Sequence, residues 1–217
     1  MEIIPVINCD NFECVKDKLT KAASIISGSG EWIHIDISDG KYALEPKWND
    51  PESLKKFLNE NGLDFYFSVH FMMEQAQTEI EKWSPIIKKA VIPIDNKENP
   101  AETAFICQKL KIIPCLSVPP SIEIEEAVKY AGTFKDFQIL AVSPGPSGQK
   151  MQTGTLEKIS ALRKKIPSAI IEIDGGVNPS TLPFLKEAGA DVALSGSYIF
   201  ENADPISAYE ELKKLAV

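Results

Sequence analysis

The sequence predicts an α/β protein built as a single (β/α)8 barrel over residues 1–217, and three observations carry that prediction. Short apolar runs rich in β-branched residues recur eight times, helical patterns fill most of the gaps, and the chain is 217 residues long. Strict alternation of strand and helix produces a parallel sheet, and eight units at this length favour closing the sheet on itself over leaving it open. The alternative, an open doubly wound sheet, is weakened because no Gly-x-Gly-x-x-Gly run follows the first strand.

Strands are expected at 3–8, 32–37, 65–69, 89–93, 112–118, 137–142, 170–174 and 192–195. The first helix has Asp10 as its expected cap with Glu13 three residues on. Val15, Leu19, Ala22 and Ile26 then repeat at the spacing of one buried face. Asn99-Pro100, Asn178-Pro179 and Asp204-Pro205 each read as a capping side chain followed by proline in the first helical turn, and Gly189 as the left-handed residue that ends a helix.

Composition bounds the function. With 44% hydrophobic residues the chain has enough apolar material for one sizeable core, and no apolar run reaches the roughly 20 residues of a membrane helix. A net charge of −8 argues against a nucleic-acid surface, so any anionic ligand has to be bound locally. The opening ten residues lack a basic stretch before the apolar one and read as a strand, not a signal peptide, which points to the cytoplasm. Cys9, Cys14, Cys107 and Cys115 form no Cys-x-x-Cys pair and are expected to be reduced thiols. The sequence leaves a homo-oligomer open.

Segment 32–37 alternates strictly, so Ile33, Ile35 and Ile37 share one face while His34 and Asp36 share the other, which in a barrel is the lumen. Polar groups there are costly unless paired, so a metal site and a structural His–Asp hydrogen bond are the two readings. His70 falls just after the third expected strand, and Asp174 ends the seventh, bringing a second histidine and a second carboxylate to the same rim. Two imidazoles and two carboxylates suit zinc, iron, manganese or cobalt. Taken singly, His70 also reads as a rim residue, Asp174 as a turn residue, and Asp39 as a turn or supporting residue. Glu172 lies on the face of Asp174 and needs a partner if it is buried.

Gly175-Gly176 follow the seventh strand and Gly196-Ser197 the eighth, ahead of expected helix starts at Asn178 and Tyr198. Exposed backbone N–H groups there are suited to a phosphate, a recurrent position in such barrels; clearance for packing is the alternative reading. Residues 142–149, which include Gly145 and Gly148, form a loop of small residues that reads as a lid, a phosphate-facing loop or plain surface.

Taken in order, Trp32-Ile-His-Ile-Asp-Ile-Ser-Asp-Gly40, Ser68-Val-His-Phe-Met72, Val142-Ser-Pro-Gly145 with Gly148-Gln149-Lys150, Ile173-Asp-Gly-Gly-Val-Asn178 and Ser195-Gly-Ser-Tyr-Ile-Phe200 resemble the ribulose-phosphate 3-epimerase family over essentially the whole chain. The resemblance implies a TIM barrel that binds one divalent metal through His34, Asp36, His70 and Asp174, with Asp36 and Asp174 as acid and base. It implies a small phosphorylated ketose as the partner, contacted by Met72 and by the glycine loops. The chain departs from the family pattern at Val6, Ser38, Leu140 and Pro146, where a serine, two methionines and an aromatic residue are usual.

Three functions follow. The first is epimerisation at C3 of D-ribulose 5-phosphate to D-xylulose 5-phosphate, or of a six-carbon ketose phosphate, through an enediolate. The second is a non-catalytic barrel that binds a phosphosugar. The third is a metal-dependent hydrolase, disfavoured because 3–8 contains no histidine.

Overall fold

A computed structural model describes residues 1–26 and 30–217. Along the chain it runs β1 (Glu2–Asn8), α1 (Phe12–Ile25), β2 (Glu31–Asp39), β3 (Pro46–Lys47), α2 (Pro51–Asn61), β4 (Phe65–Met72), α3 (Gln77–Trp83), β5 (Ile87–Pro93) and α4 (Pro100–Lys109). It continues through β6 (Ile113–Val118), α5 (Ile124–Val128), β7 (Asp136–Leu140), α6 (Thr155–Lys165), β8 (Ile170–Asp174), α7 (Leu182–Ala188), β9 (Val192–Ser195), α8 (Ser197–Phe200) and α9 (Pro205–Ala216).

The strands form one sheet in the order β1-β9-β8-β7-β6-β5-β4-β2-β3, and parallel pairing of β1 with β2 closes it. Every expected strand is present. The short β3, which pairs antiparallel with the end of β2, is an addition that two residues could not announce. β4 runs to Met72, so His70 lies within the strand and not just after it. β7 stops at Leu140, two residues before its expected end.

The outer faces of the strands and the inner faces of the helices share one large core containing Ile33, Ile35, Ile37, Leu19 and Leu54. Leu54 and Leu58 are the buried residues of α2, which shows how the helices begin and end. Asp50 accepts from the Ser53 N–H, proline follows in the first turn, and Gly62 closes the helix at φ 60°. Asn99 and Asp204 cap α4 and α9 as expected, and Gly189 ends α7 at φ 105°.

Two caps differ from expectation. Asn11, not Asp10, caps α1 by accepting from the Cys14 N–H, because Asp10 is drawn off to the Lys47 ammonium at 2.7 Å. Asn178 organises a turn, accepting from the Ser180 N–H at 2.9 Å, and α7 starts only at Leu182. The four reduced thiols are also corrected. Cys9 and Cys14 form a disulfide with Cα atoms 5.8 Å apart, because the first turn of α1 folds Cys14 back over the end of β1. Cys107 and Cys115 are free and buried.

The lower lumen explains Glu172. Its carboxylate meets the Lys89 ammonium, which also lies 2.6 Å from Asp136 Oδ2 and over the Trp32 ring. All three ionic groups are buried. Among the described residues no helix is long and apolar enough to cross a membrane.

Candidate active site

Strand register assembles the site. β1, β2 and β4 pair so that Asn8, Asp36 and His70 stand in one row, with Val6, His34 and Ser68 in the row below. Side chains two apart on a strand share a face, so the upper and lower rows project into the same lumen. On the far side, β7, β8 and β9 pair Leu140, Asp174 and Leu194. The isoleucines between the polar residues of β2 face the helices and are fully buried, as the alternation requires.

His34, Asp36, His70 and Asp174 each offer one ligand atom, and the four atoms lie within 4.8 Å of one another. Asp36 Oδ1 is 3.4 Å from His34 Nε2 and 3.5 Å from His70 Nδ1. Both imidazoles are fully buried, yet His34 Nε2, Asp36 Oδ1 and both nitrogens of His70 have no hydrogen-bond partner among the described residues. Buried polar atoms are ordinarily satisfied, so a site at which each imidazole can turn one lone pair toward the two carboxylates fits a divalent cation. A purely structural His–Asp bond would not leave Asp36 Oδ1 and His34 Nε2 both without a partner.

Two neighbours hold these side chains in place. Ser68 Oγ is 3.1 Å from His34 Nδ1, which leaves Nε2 facing the site. The Asn8 side-chain amide donates to Asp36 Oδ2 at 2.9 Å and to the Gly145 carbonyl at 3.1 Å, so one side chain holds both the carboxylate and the loop. Neither role was predicted. The alternation of β4 does place Ser68 on the face of His70, and that signal was available. Asn8 could be assigned only once the β1–β2 register was known.

The electrostatics of the two carboxylates differ. Burial pushes Asp36 up, but the imidazoles of His34 and His70, 3.4 and 3.5 Å from its Oδ1, together outweigh it and hold the carboxyl well below the usual range. Burial and the nearby Asp36 charge push Asp174 up to about 7. Burial pushes His34 down, but Asp36 outweighs it and raises the imidazole; burial lowers His70. Of the two carboxyl groups, Asp36 is therefore the one its surroundings hold ionised, and Asp174 the one they favour protonating.

A cleft above the cluster is lined by Asp36, Met72, Gly145, Gly148, Asp174, Gly175, Gly176, Gly196 and Ser197, which are all the expected site residues apart from the two histidines beneath them. Gly176 is needed for shape, since at φ 69° a Cβ there would sit 2.7 Å from the Met151 backbone nitrogen. Residues 143–149 fold on themselves, with the Gln149 amide donating to the carbonyls of Ser143 and Pro146. Asp39 takes the turn role: it accepts from the Lys41, Tyr42 and Glu74 N–H groups. Of the departures from the family pattern, Val6, Leu140 and Pro146 line the cleft. The Ser38 hydroxyl is engaged by the Gly40 N–H.

The fold resembles that of 3-hexulose-6-phosphate synthase, with a TM-score of 0.72 at 16% identity over 100% of both chains. Phosphoribosyl anthranilate isomerase from Thermus thermophilus is similar, at 0.70 and 13%, covering 99% of this chain and 100% of that one. Among sequences, ribulose-phosphate 3-epimerase of Helicobacter pylori is 31% identical over 204 residues, 91% of each chain. The cytoplasmic isoform from Oryza sativa subsp. japonica is 29% identical, covering 89% of this chain and 86% of its own. The profile of the Ribulose-phosphate 3 epimerase family matches residues 2–200. The chain belongs to the ribulose-phosphate 3-epimerase family, whose members are isomerases acting on a pentose phosphate.

Proposed function

We propose that this isomerase interconverts D-ribulose 5-phosphate and D-xylulose 5-phosphate by moving the C3 proton between Asp36 and Asp174. The observation that carries the reading is the cluster of four ligand atoms within 4.8 Å, two of them carboxylate oxygens from β2 and β8. His34, Asp36, His70 and Asp174 would hold one divalent ion of zinc, iron, manganese or cobalt. When bound, such an ion supplies positive charge beside the ketone, where negative charge develops as C3 loses its proton.

Asp36 and Asp174 reach the cleft from different strands, one on each side of the reacting carbon. One carboxylate removes the C3 proton to leave an enediolate, and the other group returns a proton to the opposite face, with roles exchanged in the reverse direction. Asn8 keeps Asp36 aimed by holding its second oxygen. Met72, Val6 and Leu140 give the cleft an apolar wall that limits water around the enediolate. Gly175, Gly176, Gly196 and Ser197 offer backbone N–H groups to the phosphate, and Gly145 and Gly148 belong to the loop that folds over the sugar. Membership of an enzyme family sets aside the non-catalytic barrel. A cytoplasmic location fits the plant relative that is a cytoplasmic isoform.

Proton NMR in deuterated water tests the reaction. Ribulose 5-phosphate should yield xylulose 5-phosphate with deuterium at C3, and prior chelation should stop both conversion and exchange. Conversion that survives exhaustive chelation would remove the metal from the proposal. Conversion only of a six-carbon ketose phosphate would reassign the substrate.

Ser68 gives a second, quieter test. Replacing it with alanine frees the His34 ring, and metal affinity should fall roughly 10–100-fold, read by competition against a chromophoric chelator. Unchanged affinity would show that the hydroxyl does not orient the ligand.

A further inference from the structure

Lys18 is the cation that the metal and carboxylate chemistry does not use. On α1 it stands beside Leu19, outside the buried stripe of Val15, Leu19, Ala22 and Ile25. Its ammonium donates to the Asn8 carbonyl at 3.0 Å and lies 5.6 Å from the centre of the Phe200 ring. Among the described residues lining the cleft it is the one lysine or arginine.

Its place along the β1–β9 seam matters. Gly196 is pressed against β1, where a Cβ would come within 3.2 Å of the Val6 carbonyl. Lys18 hangs on the carbonyl of Asn8, two residues further toward the cleft, and leans over the last residue of the helix that begins just after Gly196. Lys18, Gly196 and Ser197 line the same cleft. Burial lowers its pKa, with the charges of Glu201 and Asp36 working against that shift.

Charge gives the position its meaning. The chain carries −8 overall, and a divalent ion held by Asp36 and Asp174 would be balanced by those two carboxylates, so Lys18 is the side-chain cation of the cleft left to offset a phosphoester dianion. An ammonium has three donors, and the bond to Asn8 occupies one. We propose that Lys18 is a specificity-determining residue, an ammonium that anchors the phosphate of the substrate at the Gly196–Ser197 turn and so selects phosphorylated over free ketoses. The inference rests on the phosphoketose reading above.

The experiment is calorimetric titration of inorganic phosphate into the metal-loaded wild type, Lys18→Met and Lys18→Arg, with kcat and KM for ribulose 5-phosphate and for ribulose. Lys18→Met should bind phosphate about tenfold or more weakly and lose a similar factor in kcat/KM for the phosphorylated sugar. The same variant should handle free ribulose as the wild type does, and Lys18→Arg should stay near wild type for both. A general loss of folding would move all these values together. In wild-type protein 13C-methylated at its lysines, phosphate should also shift the Lys18 resonance, a readout independent of any variant. Turnover of ribulose 5-phosphate with phosphate affinity in Lys18→Met within twofold of wild type, or a Lys18 resonance blind to phosphate, would overturn the anchor alone. A wild type that neither binds phosphate nor converts any phosphoketose would overturn both the anchor and the function beneath it.

Discussion

Asparagine at either Asp36 or Asp174 is expected to cut epimerisation by about 10²–10⁴-fold, the usual worth of a positioned proton-transfer group. The two variants should nevertheless differ in what they still do. An amide cannot remove a proton, so each variant keeps one face of C3 served and loses the other. In deuterated water, Asp174→Asn should exchange the C3 hydrogen of one epimer without converting it, and Asp36→Asn should exchange that of the other. Metal content measured alongside separates loss of a proton carrier from loss of a ligand, because both aspartates belong to the cluster. Conversion within a few-fold of wild type in either variant would end the two-carboxylate mechanism.

Much of this site was legible because it is written in strand periodicity. Alternation in 32–37 put His34 and Asp36 in the lumen, and the ends of the strands put Asp174 on the same rim. What could not be read depends on neighbours far apart in the chain. Asp10 has the chemistry of a cap, but Lys47 draws it away and Asn11 serves instead. The Cys9–Cys14 disulfide needs the fold of the β1–α1 turn, which spacing alone does not describe. Lys18 looks like an ordinary solvated helix residue until α8 and the end of β1 are placed beside it.

Glu172 is the sharpest case of this kind, because its partner lies 83 residues away on another strand. Closing the barrel delivers Lys89 to it, together with Asp136, in a lumen where none of the three reaches solvent freely. Removing the cation alone should therefore cost far more than a surface pair would. Lys89→Met strands two buried carboxylates, a loss of about 3–5 kcal/mol, which in a domain of this size lowers Tm by roughly 6–20 °C. Adding Glu172→Gln to Lys89→Met should recover part of the loss by removing one of the uncompensated charges. If Lys89→Met melts within about 2 °C of wild type at neutral pH, less than 1 kcal/mol is at stake, and the lower lumen must admit enough water to solvate Glu172 and Asp136.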